Sequence, residues 1–143
     1  ATGVMAEVFV LGFGRPLLDR FGPRLLILVG VASSLPRFWL TGTVESAEVL
    51  VLLQSLHGLG FGTFWVGGVA FLSEIAPKEA PNATQSLLPA SAFGAGYLLS
   101  MSLASTVFQW IKPAQLFQYL GVGSALTIGA GLYIWRREVT LNT

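Results

Sequence analysis

The chain has 143 residues, of which 53% are hydrophobic and only 10% charged, and its mean hydropathy is +0.70. A soluble domain carries about 25% charged residues, so an ordinary water-soluble globule is excluded. A formal net charge of +1 leaves no broad basic field for nucleic acid, and the absence of cysteine excludes a disulfide framework or a thiolate metal site.

Apolar runs of about 20 residues, the length that crosses a bilayer as a helix, predict an all-α integral membrane chain with five spans. The first covers 1–18 and is interrupted by Glu7; the second covers 25–43 and contains Pro36 and Arg37. The third, 47–72, holds His57 and, beyond Glu48 at its outer end, no formal charge. The fourth runs over 87–108 and the fifth over 113–135. Connections are short, at 19–24, 44–46, 73–86 and 109–112. Runs of this length without period-2 alternation suit helices and not barrel strands. Pro113 fits a first helical turn, where its missing N–H is harmless. Asn82 with Gln85 three residues on reads as a capping box. Gly58 with Gly62, and Gly94 near Gly96 and Ser100, are small residues of the kind that let helices approach closely in lipid. The run Gly58-Leu-Gly-Phe-Gly62 superficially resembles a nucleotide fingerprint, which needs a preceding strand; here it lies in mid-span.

Lys and Arg placement gives the expected orientation. Arg15, Arg20, Arg24, Lys78, Arg136 and Arg137 fall on one side, and Lys112 beside Glu45 and Glu48 falls on the other. This puts 19–24, 73–86 and the C-terminus in the cytoplasm, and residue 1 outside. With no export signal to carry that end across, the expectation is that earlier helices of the same chain precede it.

The cytoplasmic turn Arg15-Pro-Leu-Leu-Asp-Arg-Phe-Gly-Pro-Arg24 is the most specific motif. Leu17, Asp19, Arg20, Gly22 and Arg24 resemble the loop motif of the major facilitator superfamily, Gly-x-Leu-x-Asp-Arg-x-Gly-Arg-Lys. Arg15 stands where the motif has its leading glycine, and Pro23 replaces a basic residue. The stretches Gly3–Glu7, Leu53–Gly62 and Ala70–Pro77 resemble the lactose permease-related branch, which includes phenylpropionate-permease-like proteins. The resemblance implies helices eight to twelve of a twelve-helix fold, part of the C-terminal six-helix bundle. It also implies a charged latch at Asp19, Arg20 and Arg24 that steadies the outward-open state.

Charges buried in hydrocarbon cost at least about 2.5–3.5 kcal/mol each on insertion scales, so they face protein or a wet cavity. At about 1.5 Å per residue, Glu7 and His57 lie near the midplane and Arg37 in the outer half. The lactose permease-related branch carries a substrate-binding glutamate, an arginine and a histidine on the three corresponding helices. The resemblance therefore implies a substrate or proton site at Glu7, Arg37, Gln54 and His57. That branch has a lysine where Gln54 stands and a proton-carrying glutamate where Gly60 stands, which leaves Glu7 as the sole acid away from the ends of the spans. Glu7 could hydrogen-bond a polar substrate or take the coupling proton. His57 could relay a proton, since imidazole alone ordinarily titrates near neutrality, and Arg37 could hold an anion. The bland alternatives are a structural Glu7–Arg37 salt bridge and an interhelical hydrogen bond from His57. Trp65 and Tyr97 are candidates for cavity lining, against ordinary belt or packing roles.

The reading is a secondary active transporter, proton-coupled, for a small polar or amphiphilic solute such as a sugar, nucleoside or aromatic acid, working by alternating access. The alternative is a non-transporting receptor or assembly subunit with the same helices. An enzyme is disfavoured, because no Ser-His-Asp set or metal-ligand cluster occurs. Expected partners are the solute, the lipid bilayer of a plasma or bacterial inner membrane, and an N-terminal half of the same chain. No cofactor or metal is expected, and the coupling ion is H+.

Overall fold

The computed structural model describes Thr2–Leu141, with side chains through Arg136. Ala1 lies outside the described residues and so does the side chain of Arg137, both used above. The elements are α1 (Thr2–Gly12), α2 (Gly14–Thr41), α3 (Ala47–Ile75), α4 (Pro81–Pro89), a π-helical turn (Ala90–Ala95), α5 (Gly96–Val107) and α6 (Pro113–Leu141). No strand occurs among the described residues. Four of the helical runs are long and apolar enough to cross a membrane; α1 is apolar but shorter. The amides of Phe13 and Leu17 donate to the carbonyls of Phe9 and Phe13, both at 3.1 Å, so helical bonding passes from α1 into α2. The run is broken instead at Gly22 (φ 71°, ψ 163°), the one described residue with positive φ. Only glycine adopts that region cheaply, and Pro23 then starts the next helical arm with its φ already set.

The chain reverses there. Gly3 abuts Gln54, Gly58 abuts Glu7, Gly62 abuts Val10 and Gly14 abuts Val66, so α1 runs parallel to α3. Gly67 abuts Pro23 and Gly30 abuts Gly60, so the second arm of α2 runs antiparallel to it. α6 returns along α2, with Gly42 against Ala114 and Gly131 against Leu28.

The glycines of α3 explain how one helix serves two neighbours. At about 100° per residue, Gly58 and Gly62 share one stripe, facing α1. Gly60 and Gly67 form another, facing α2. A Cβ on Gly58 would meet the backbone of Gly3 and, at 2.5 Å, the amide nitrogen of Glu7; one on Gly60 would collide with Ser33 Oγ. In lipid, hydrophobicity cannot drive helices together, so this close backbone packing carries the association. Among the described large hydrophobic side chains, only Val10, Leu26 and Leu53 are buried, while many others, Met5 and Leu52 among them, face outward. An inside of glycines and an outside of leucines is what a bilayer solvent selects.

Helix ends are set locally. Ser46 caps α3 by accepting from the Val49 amide at 3.4 Å, with Glu48 in the first turn favouring the helix dipole. Pro77 stops α3. The fourth run begins at Pro81, before the apolar stretch that starts at Leu87, because proline suits the first helical position. Asn82 and Gln85 therefore form no capping box; Gln85 Nε2 donates to Ser73 Oγ at 2.9 Å and ties α4 to the end of α3. The box-like contact lies at α6, where the Lys112 amide donates to Gln115 Oε1 at 3.1 Å. Gly94 meets no neighbour, and Gly96 meets only the Ser91 carbonyl of its own run. The packing role expected of them is absent, because no described helix lies opposite.

Candidate functional site

The antiparallel register of α2 on α3 places Arg37 beside His57. Arg37 Nη1 lies 3.2 Å from His57 Nδ1. A guanidinium has donors and no acceptor, so Nδ1 accepts and a neutral His57 carries its hydrogen on Nε2. The Arg37 guanidinium also lies 4.3 Å from the Phe38 ring centroid, a cation–π contact. Both partners are half-buried and line an open cavity of about 510 Å³ between α2, α3 and α6. That volume lies within the range of small-molecule sites, about 300–1,000 Å³.

The cavity wall is apolar and aromatic, with Phe38, Phe61 and Phe64 prominent. Its hydroxyls are turned inward on their own helices. Ser33 donates to the Gly30 carbonyl at 2.8 Å, Ser34 to Val31 at 2.5 Å, Ser124 to Leu120 at 2.9 Å and Thr127 to Gly123 at 3.0 Å. Each hydroxyl hydrogen is spent on a backbone carbonyl, so these groups show the cavity acceptor lone pairs. Below His57, Phe61 and Trp65 continue one face of α3 at four-residue steps, with ring centroids 6.0 and 5.7 Å apart. Phe93, on the π-helical turn, closes on both, 6.2 Å from Phe61 and 5.6 Å from Trp65.

The other predicted residues are distributed around this pair. Glu7 is half-buried at the same depth as His57, fixed there by the contact of its amide nitrogen with Gly58. It lies outside the cavity wall and makes no ion pair or hydrogen bond among the described residues. The Glu7–Arg37 salt bridge considered from sequence is therefore not formed; Arg37 turns to His57. Gln54 is exposed, with its carbonyl against Gly3. Trp65 is half-buried in the aromatic row, whereas Tyr97 on α5 is exposed and away from the cavity.

In the turn motif, Leu17 is half-buried while Asp19, Arg20 and Arg24 are exposed. Asp19 makes no ion pair among the described residues. Arg20 lies over the Phe21 ring and Arg24 over the Phe71 ring of α3, each 5.4 Å from the centroid. The turn is thus joined to α3 through an aromatic face. Sequence reasoning missed Ser33, Ser34, Phe61 and Phe93. The first two precede Arg37 by four and three residues and Phe61 follows His57 by four, a one-face signal that was there to read. Phe93 had no such signal, because a π-helical turn changes the register of its face.

The comparisons with known proteins converge on transport. The MFS_1 like family matches residues 1–119. An uncharacterized transporter of Bacillus subtilis, YwbF, is 21% identical over 141 residues, covering 99% of this chain and 35% of that protein. A probable 4-methylmuconolactone transporter of Cupriavidus pinatubonensis is 29% identical over 102 residues, covering 70% of this chain and 23% of its own length. The oxalate:formate antiporter of Oxalobacter formigenes is 28% identical over 109 residues, covering 76% and 26% respectively. The chain thus spans about a quarter to a third of the length of the curated relatives it matches. No solved structure matches it significantly. The apolar helices, the turn motif and a family match over most of the length lead to one conclusion: the chain belongs to the MFS_1 like family of major facilitator transporters and is an integral membrane protein.

Proposed function

We propose that the chain contributes to a proton-coupled secondary active transporter that moves a small polar or amphiphilic solute by alternating access. The observation that carries this reading is the Arg37–His57 contact on the wall of an open cavity within the helices. A permanent cation and an imidazole within membrane spans are costly to bury, and where such groups occur they mark substrate or ion pathways. Two relatives named for their solutes support small organic cargo: oxalate and formate in one, 4-methylmuconolactone in the other.

Glu7 is the transit point through which the coupling proton enters or leaves in this scheme, since it is half-buried, at the depth of His57, and engaged by no partner among the described residues. The turn at 19–24, the loop at 73–86 and the C-terminus face the cytoplasm, in keeping with the distribution of Arg and Lys. The test is uptake by the intact protein in vesicles with an imposed pH gradient. Glu7→Gln should abolish gradient-driven accumulation while leaving solute exchange at equal pH; near-normal accumulation by that variant would overturn the role of Glu7.

A further inference from the structure

We infer that the Arg37–His57 pair is a joint site for a proton and a small carboxylate, each of which raises the affinity for the other. The inference rests on the transport reading and names the substrate class: a carboxylate carried on a compact apolar or aromatic body.

The cavity is electrically lopsided. Its backbone amides are held within helices, and its serine and threonine hydrogens are committed to backbone carbonyls at 2.5 to 3.0 Å. Among the lining residues, only Arg37 and His57 retain N–H groups to offer. An anion placed elsewhere on the wall would meet oxygen lone pairs or phenyl rings, and in a low-dielectric site that is strongly unfavourable. The anionic end therefore has one place to go. No carboxylate of the described chain already occupies it, because Glu7 makes no contact with Arg37.

The proton enters through the geometry of the contact. While His57 is neutral, its Nδ1 accepts from Arg37 Nη1, which uses one arm of the guanidinium fork and holds the side chain against α3. Protonation places a hydrogen on Nδ1, and that bond cannot persist between two donors. Two adjacent cations then repel across a few ångströms of poorly screened space. A carboxylate between them relieves the repulsion, one oxygen accepting from the guanidinium and the other from the imidazolium. Charge balances as one proton and one anion taken up together. Such linkage is reciprocal by thermodynamic necessity.

The groups that bear on His57 are few. From α2 the charged neighbour is Arg37, and from α1 it is Glu7, level with Gly58. α6 contributes only Leu120, Gly123, Ser124 and Thr127 to the cavity, none ionisable. The run that follows α3 approaches the row below His57 through Phe93. Phe38, Phe61 and Phe64 supply the apolar surface for the body of the solute.

The test uses benzoate as probe and benzamide as its neutral isostere, with the intact purified protein. Benzoate should bind at least about tenfold tighter near pH 5.5 than near pH 8, a coupling within the usual range for linked sites, and should draw protons from weakly buffered solution. Benzamide should show neither effect. His57→Gln, which keeps an acceptor for Arg37 but cannot gain a proton, should remove both the pH dependence and the proton uptake. Equal benzoate affinity at the two pH values, or equal behaviour of benzamide, overturns the inference without recourse to any variant. If uridine or methyl galactoside is accumulated under a pH gradient while benzoate fails to bind, transport stands and the carboxylate site falls. If benzoate binds with a proton but nothing accumulates in vesicles, the site stands and the transport reading falls.

Discussion

α3 and the run from Pro81 to Val107 are both long and apolar enough to cross a membrane, yet they live in different surroundings. In α3, 28% of the most apolar window is buried within the protein, whereas in Pro81–Val107 the figure is 0%. Both carry closely spaced glycines. The difference lies in what stands opposite. Gly58 and Gly60 face Gly3, Ala6, Gly30 and Ser33 across two interfaces, so small residues meet small residues and backbones touch. Gly94 and Gly96 face no other helix. Hydropathy measures whether a helix prefers lipid to water; complementary stripes decide whether it prefers another helix to lipid.

Three substitutions probe this contrast, in falling order of effect. Gly58→Leu would force α1 away from α3 at the contact with the Glu7 backbone. It should cost about 3 kcal/mol or more, the upper part of the overpacking range, measurable as a lower unfolding midpoint in detergent; an unchanged midpoint would break the proposed interface. Gly22→Ala tests conformation alone, since nothing lies within 4 Å of the added carbon. The positive φ should cost about 1–3 kcal/mol by the same measurement. Gly94→Ala should be neutral or stabilising by up to about 1 kcal/mol, because it fills open space and lowers the entropy lost on helix formation. A large loss there would reveal a partner surface on the fourth run and remove the contrast with α3.

Particular residues show where the sequence was sufficient. The glycine of the turn motif lies where the backbone takes positive φ, so Gly22 was legible as a break. Pro113 opens α6, as its imide chemistry dictates. Other signals pointed to the wrong neighbour. Asn82 and Gln85 had capping-box spacing, but Pro81 had already started the helix and freed Gln85 to reach Ser73. In the candidate site, charge alone suggested that Arg37 would meet Glu7, the only acid away from the ends of the spans. The register of α2 on α3 brought it to His57 instead and left Glu7 on the α1 side.

By itself, then, the sequence determined an all-α membrane chain, its major facilitator family and the apolar runs that carry Glu7, Arg37 and His57. These follow from composition, run length and a local motif, each legible along the chain without reference to distant residues. Only the tertiary structure decided which polar groups meet, which hydroxyls are spent on their own helices and which glycines are contacts. Those depend on helix direction and register. Both are fixed by close backbone contacts between residues as far apart in sequence as Gly3 and Gln54, or Gly30 and Phe64.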